Sequence, residues 1–231
     1  MKHMASKKYK CPYCGKEFTK ERTLQVHMCE PKRRYLQKDE KWVVNAFMVF
    51  QRFYQIHQKN SKTKTYDDFV GSPYYNAFVK FGRFIIHINP LYPDKYIDFV
   101  LKSKVKLDHW ARDDLYETYL IETIKTEPVE SALQRSITTM MDWATEQNAQ
   151  WSDYFRLVNT NRAVQHIQQG KISPWLLLGC NAGKRMLKSF SDEQLQMIER
   201  FINPSFWPSK LKSYPADHML VQDTAKEAKI V

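Results

Sequence analysis

The sequence predicts an all-α fold, a compact multi-helix body preceded by a small ββα-like module. Three observations carry this reading. Apolar residues recur at helical spacing over most of the chain, with no alternating strand pattern and no internal repeat. Glycine occurs only 6 times in 231 residues, too few for the tight hairpins of a many-stranded fold. Three of the 4 cysteines, and most of the excess positive charge, fall within the first 34 residues. The expected organisation is a basic module over 1–34, an all-helical domain over 35–215 and a C-terminal tail helix over 216–231.

The body reads as helices in order. Trp42, Val43, Ala46, Phe47, Phe50, Phe53 and Tyr54 form a wide helical stripe over 39–57. A polar, basic loop follows over 59–64, and Thr65 caps a short helix ending at Val70. Ser72 and Pro73 open the next helix, whose stripe is Tyr74, Phe78, Phe81, Ile85 and Ile88; Asn89-Pro90 stops it. Tyr96 to Leu101 is helical, and a charged helix spans 108–125. Glu127-Pro128 starts a helix with Leu133, Ile137, Met140, Met141 and Ala144 on one face. Ser152 opens one helix through Phe155, Val158, Val164 and Ile167, closed by Gly170. Ser173-Pro174 starts a short apolar segment, and Ser191 with Gln194 forms a capping box before Leu195, Ile198 and Phe201. Asn203-Pro204, Pro208 and Pro215 break the remainder, and a weak tail helix ends the chain.

Charge narrows the choice of partner. The net charge is +11; residues 1–34 hold ten basic and three acidic side chains, so +7 of it lies there. A basic arm of this kind meets an anion, most often nucleic acid, the plain alternative being a solvated tail. No apolar run is long enough to span a membrane, and the N-terminus lacks the apolar core of a signal peptide. The expected compartment is therefore cytoplasmic and reducing, where cysteines serve metals more often than disulfides.

Cys11-Pro12-Tyr13-Cys14 presents two thiols on one tight knuckle, and His27 and Cys29 supply two further donors. Zinc takes four such ligands tetrahedrally. His3 is an alternative to Cys29 as fourth ligand. Phe18 and Leu24 are the only apolar residues between the pairs that fit a core, so the metal has to supply the folding energy.

Cys11, Cys14, Phe18, Leu24 and His27 follow the spacing C-x2-C-x3-F-x5-L-x2-H. In this the stretch resembles zinc fingers of the two-cysteine, two-histidine type. The resemblance implies a two-stranded knuckle around Cys11–Phe18, a helix over about 20–27, and base-reading positions at Lys20, Arg22, Thr23 and Val26. The departure is at the last ligand. Only Met28 separates His27 from Cys29, and residues i and i+2 of an α-helix point about 200° apart. The helix must therefore end at His27, with Pro31 disfavouring helical geometry at Glu30, and a short basic linker follows over 30–35. Lys7, Lys8 and Lys10 before the finger, and Lys32, Arg33 and Arg34 after it, add phosphate contacts without base preference.

Chemistry in the body is sparse. Gly179 to Arg185 imitates a phosphate loop but has three residues between glycines instead of four, and Arg185 where Ser or Thr belongs. Gly179 and Gly183 are read instead as helix punctuation, and Cys180 as a buried small hydrophobe. His109 and Asp113 stand i, i+4 on one expected helix; a hydrolytic metal site there competes with a solvated helix start. Lys80 and Arg83 lie among the aromatics of the 74–88 stripe, and Lys102, Lys104 and Lys106, or Lys184, Arg185 and Lys188, extend a phosphate track or a solvated face.

The expected function is a non-enzymatic nucleic-acid-binding accessory protein, DNA before RNA, with zinc as cofactor and a protein partner for the helical body. The alternatives are a structural or assembly module whose finger docks on protein, and a metal-dependent nuclease. A lone basic finger on an aromatic-rich helical body is also similar to small zinc-finger proteins of tailed bacteriophages. That likeness implies a host-cytoplasm role in phage replication, transcription or assembly.

Overall fold

The computed structural model describes residues 8–58 and 62–230. Two short strands, β1 (Tyr9–Lys10) and β2 (Glu17–Phe18), pair antiparallel with Tyr9 opposite Phe18 and Lys10 opposite Glu17. Fifteen α-helices follow among the described residues: α1 (Glu21–Val26), α2 (Glu30–Leu36), α3 (Lys41–His57), α4 (Tyr66–Val70), α5 (Tyr75–Ile88), α6 (Pro93–Lys102), α7 (Asp113–Thr126), α8 (Val129–Gln147), α9 (Tyr154–Leu157), α10 (Thr160–Gln168), α11 (Pro174–Gly179), α12 (Asn181–Leu187), α13 (Asp192–Ile202), α14 (Trp207–Ser213) and α15 (Pro215–Glu227). The all-α expectation holds, with strands confined to the finger among the described residues. No described helix is long and apolar enough to cross a membrane. Contacts divide the chain into two compact units, Met1–Leu115 and Tyr116–Val231, so the division falls inside the span read from sequence as one helical domain.

In the first unit α3 and α5 cross closely. A Cβ on Gly82 would stand 2.3 Å from the Trp42 carbonyl oxygen, so the backbones meet only because this residue has no side chain. The stripe over 74–88 is core, as its spacing suggests: Phe78, Phe81 and Ile85 are buried, while Tyr74 is exposed. Phe53, Phe78 and Phe81 surround Trp110, whose indole N–H donates to the Val105 carbonyl at 2.9 Å. Thr65 and Asp68 cap α4 reciprocally, so the acids at 67–68 mark a helix start.

The second unit is built around α8 and α11. Trp175 and Trp207 are buried edge-to-face at 5.7 Å, and the Trp207 indole donates to the Phe201 carbonyl at 3.0 Å. Gly170 closes α10 with the paired bonds of a Schellman motif, Lys171 N–H to His166 O and Gly170 N–H to Ile167 O. Ser191 and Gln194 cap α13 as expected.

Five expectations change. The linker over 30–35 is helical, because Pro31 sits in the first turn of α2, where its missing N–H costs nothing. The charged helix starts at Asp113, after a separate 3-10 turn at Leu107–His109, so His109 and Asp113 share no helix face and both are exposed. The helix expected from Ser152 to Gly170 is broken at Val158, which is extended, and Asn159 caps α10 through its side chain. Gly183 punctuates nothing. It lies inside α12, where a Cβ would stand 2.2 Å from the Leu177 carbonyl oxygen. The weak tail is α15, docked on α11 with Val221 fully buried, and α14 precedes it unforeseen.

Candidate metal centre

The finger is assembled by backbone bonds before any ligand is considered. Cys11 N–H donates to Lys16 O and Gly15 N–H to Cys11 O, both at 2.9 Å, which closes the knuckle between the strands. Helix α1 starts after Lys20 and ends at His27, whose ψ of 121° is extended. Cys29, also extended at ψ 163°, is the N-cap of α2. The chain thus leaves one helix and enters another across only Met28, and this reversal lets His27 and Cys29 face the same point. The departure at the fourth ligand is accommodated as the sequence required.

Donor atoms of Cys11, Cys14, His27 and Cys29 all lie within 4.8 Å of one another. Cys11 Sγ is 3.9 Å from Cys29 Sγ, and Cys14 Sγ is 3.3 Å from His27 Nε2. In a tetrahedral zinc site the bond lengths require edges of about 3.8 Å between sulfurs and about 3.6 Å between sulfur and nitrogen. These two separations fit that figure within a few tenths of an ångström, and the widest in the cluster stays within 4.8 Å. Three sulfurs and one imidazole are also the donor set of a closed structural site. The residues present therefore suit a metal ion, and zinc is the expected one.

Electrostatics at the knuckle fit the same use. Burial raises the Cys11 thiol, but backbone amides of Cys14 and Tyr13, then the Cys14 and Cys29 side chains, outweigh it and leave it below its ordinary value. At Cys14 a backbone hydrogen bond at Lys16 lowers the thiol, but burial and the neighbouring thiols outweigh that bond and raise it. The Cys11 side of the site is closed, at 2% exposure, whereas Cys14 is exposed. The fourth cysteine, Cys180, is buried far along the chain and accepts the Gly183 N–H at the start of α12.

Phe18 and Leu24 are half-buried, and the Phe18 ring packs on the His27 ring at 4.8 Å. No residue of α1 is fully buried. The expected base-reading positions Lys20, Arg22, Thr23 and Val26 are all exposed. Lys8 and Lys10 are exposed, Lys8 in an ion pair with Glu17 at 2.9 Å. Lys7 and His3 lie outside the described residues.

After the finger the structure separates the three cations that sequence grouped together. Arg33 is exposed. Lys32 donates to the His27 carbonyl at 3.1 Å. Arg34, expected among the phosphate contacts, is committed inside the fold. It pairs with Glu30, donates to the Val70 carbonyl and covers the Tyr75 ring at 4.2 Å. Of these partners only Glu30, at i−4, is local; Val70 and Tyr75 lie 36 and 41 positions away.

Residues 9–30 match the family model described as zinc finger, C2H2 type. No curated protein and no solved structure matches the chain. The likeness to known proteins is thus confined to the finger, a module of a kind that binds nucleic acid or protein.

Proposed function

We propose that the chain is a non-enzymatic nucleic-acid-binding protein, with DNA before RNA as its ligand. Cys11, Cys14, His27 and Cys29 hold one zinc ion, which when bound supplies the cross-link that ties the knuckle to α1. The finger then presents Lys20, Arg22 and Thr23 to the groove, while Lys8, Lys10 and Arg33 contact phosphates. The observation that carries this reading is the four-donor cluster in a module that exposes Lys20, Arg22 and Thr23. Val26, 75% exposed, offers no hydrogen bond to a base edge, so the binding is mostly to backbone. The helical body serves a protein partner. The likeness to phage finger proteins would place that partner in replication, transcription or assembly in the host cytoplasm.

The test is a salt titration of binding by the full chain to labelled duplex and single strands. A steep, linear fall of log affinity with log salt, weakened in Lys20→Ala with Arg22→Ala, supports the reading. A flat response, or no binding to any strand, sinks it. The second reading is a finger that docks on protein, favoured by the exposed apolar residues Val26, Met28 and Leu36 around it. It predicts stoichiometric co-purification of a protein after nuclease treatment, lost in Val26→Ser with Met28→Ser.

A further inference from the structure

A cavity of about 420 Å³ opens between α2 and α5, lined by Arg33, Arg34, Tyr75, Asn76, Lys80 and Arg83, among others, and by no acidic residue. Four cations line one concavity, of which Arg34 is already paired with Glu30, outside the lining. The lining follows from two helix stripes: Asn76, Lys80 and Arg83 recur at i, i+4 and i+7 on α5, beside the face that buries Phe78, Phe81 and Ile85. Arg33 comes from α2. Arg33, Lys80 and Arg83 are exposed and have no carboxylate partner among the described residues. Arg34 forms part of the wall, and its buried Nε has no hydrogen-bond partner. The Arg83 guanidinium rests on the Trp42 ring at 5.3 Å, which fixes its position before any ligand arrives. Burial raises the Tyr75 phenol, against the Tyr66 hydroxyl and the guanidinium groups of Arg34, Arg33 and Arg83.

We infer that this cavity is a phosphate subsite, occupied by a backbone phosphate of the same nucleic acid that the finger holds. The inference rests on the nucleic-acid reading above and deepens it. Convergent guanidinium and ammonium donors without an acid select a phosphate ester over a neutral or cationic ligand. The connection to the finger is α2. Its N-cap is the ligand Cys29, and Arg33 follows one turn later, about 6 Å along the helix axis. Helix α2 is also anchored from the other side, through Tyr66 Oη to the Arg34 carbonyl at 2.8 Å and through the Tyr35–Asp67 bond. The cavity therefore keeps its shape when the finger loses its metal.

The test uses the full chain, zinc-loaded, with Lys80→Ala and Arg83→Ala combined. The control is Lys212→Ala with Lys226→Ala, which removes the same charge from exposed sites outside the cavity. The cavity variant should bind duplex or single strands about tenfold more weakly at low salt, with the salt slope reduced by about one, while the control changes little. Inorganic pyrophosphate should raise the melting temperature of wild type and control but not of the cavity variant. Equal losses in both variants would reduce the effect to overall charge and overturn the inference. Pyrophosphate protection without any effect on strand binding would make the occupant a free phosphate compound and overturn the strand assignment. If wild type binds no strand, the functional reading fails first; a wild type that pyrophosphate also leaves unprotected then overturns the cavity independently.

Discussion

The finger and the helical units fold for different reasons. Over residues 9–30 only Cys11 is fully buried, and neither Phe18 nor Leu24 escapes water completely. In the second unit Trp175, Trp207, Tyr154, Leu120, Ile124 and Met140 are all nearly inaccessible, each contributing about 2–3 kcal/mol of transfer free energy before entropy is counted. One region is held by four donor atoms around a point, the other by many apolar contacts spread over several helices. The first should therefore respond to single changes all at once, the second in increments.

The largest effect expected is loss of the metal. A chelator, or Cys14→Ser, should release about one zinc per chain and remove about 10 kcal/mol or more of apparent folding energy from the finger, leaving residues 9–30 unfolded. The two helical units should melt as before, and the helical circular-dichroism signal should barely change, since α1 is 6 residues long. Amide exchange resolved by residue distinguishes the regions. Protected finger amides in Cys14→Ser would break the comparison at its root. Cys29→Ser should behave the same way, because its sulfur closes the fourth side of the cluster.

A smaller loss, confined to the second unit, is expected at Arg135. Its guanidinium makes a two-bonded pair with the nearly buried Glu127 at 2.5 Å, and its Nε donates to the Gly170 carbonyl at 2.6 Å. Arg135→Ala strands a buried carboxylate and frees the C-terminal turn of α10, at a cost of about 3–5 kcal/mol. The second unit should melt earlier while zinc content and finger exchange stay unchanged. Release of zinc from this variant would show that the regions are not independent.

This pair also shows where sequence stops. Glu127 and Arg135 are eight residues apart, with Gly170 thirty-five beyond, and no periodicity links them. The finger was legible because three of its ligands and both core residues sit in one 17-residue window with fixed spacing, Cys11 to His27. Helix ends at 65–68 and 191–194 were legible because caps are local bonds. The break at Val158 was missed, although the six-residue step from Val158 to Val164 turns about 240° on a helix and takes the 164–167 pair off the 155–158 face. Asn159 marks the new start as its N-cap. Helix α2 read as a linker because its composition, Glu-Pro-Lys-Arg-Arg-Tyr-Leu, has too few apolar residues to show a face. The cavity was hidden for the same reason, since it needs α2 folded against α5.

The smallest effect is the best probe of distributed stability, because it changes one proton. His166 is 7% exposed in α10, and burial, then Lys171 and Arg162, against the pull of Glu146, lower its pKa to about 4. Tyr154 Oη lies 2.8 Å from His166 Nδ1, and burial holds that phenol protonated, so the hydroxyl donates to a neutral ring. In the unfolded chain the imidazole titrates near its ordinary value of about 6.5. Between these two values the unfolded state binds the extra proton, so stability is full above about pH 6.5 and falls as the pH drops toward 4. The loss should be about 3 kcal/mol, read as a falling melting temperature of the second unit over that window. His166→Gln keeps a hydrogen-bond partner for Tyr154 but cannot titrate, and should flatten the slope. The finger must be removed from the measurement first, since acid also protonates its ligands and releases the metal. Cys14→Ser provides that background. If the pH slope of the second unit persists in the Cys14→Ser, His166→Gln double variant, the acid sensitivity belongs to carboxylates spread over the unit. If it vanishes, one buried ring accounts for it.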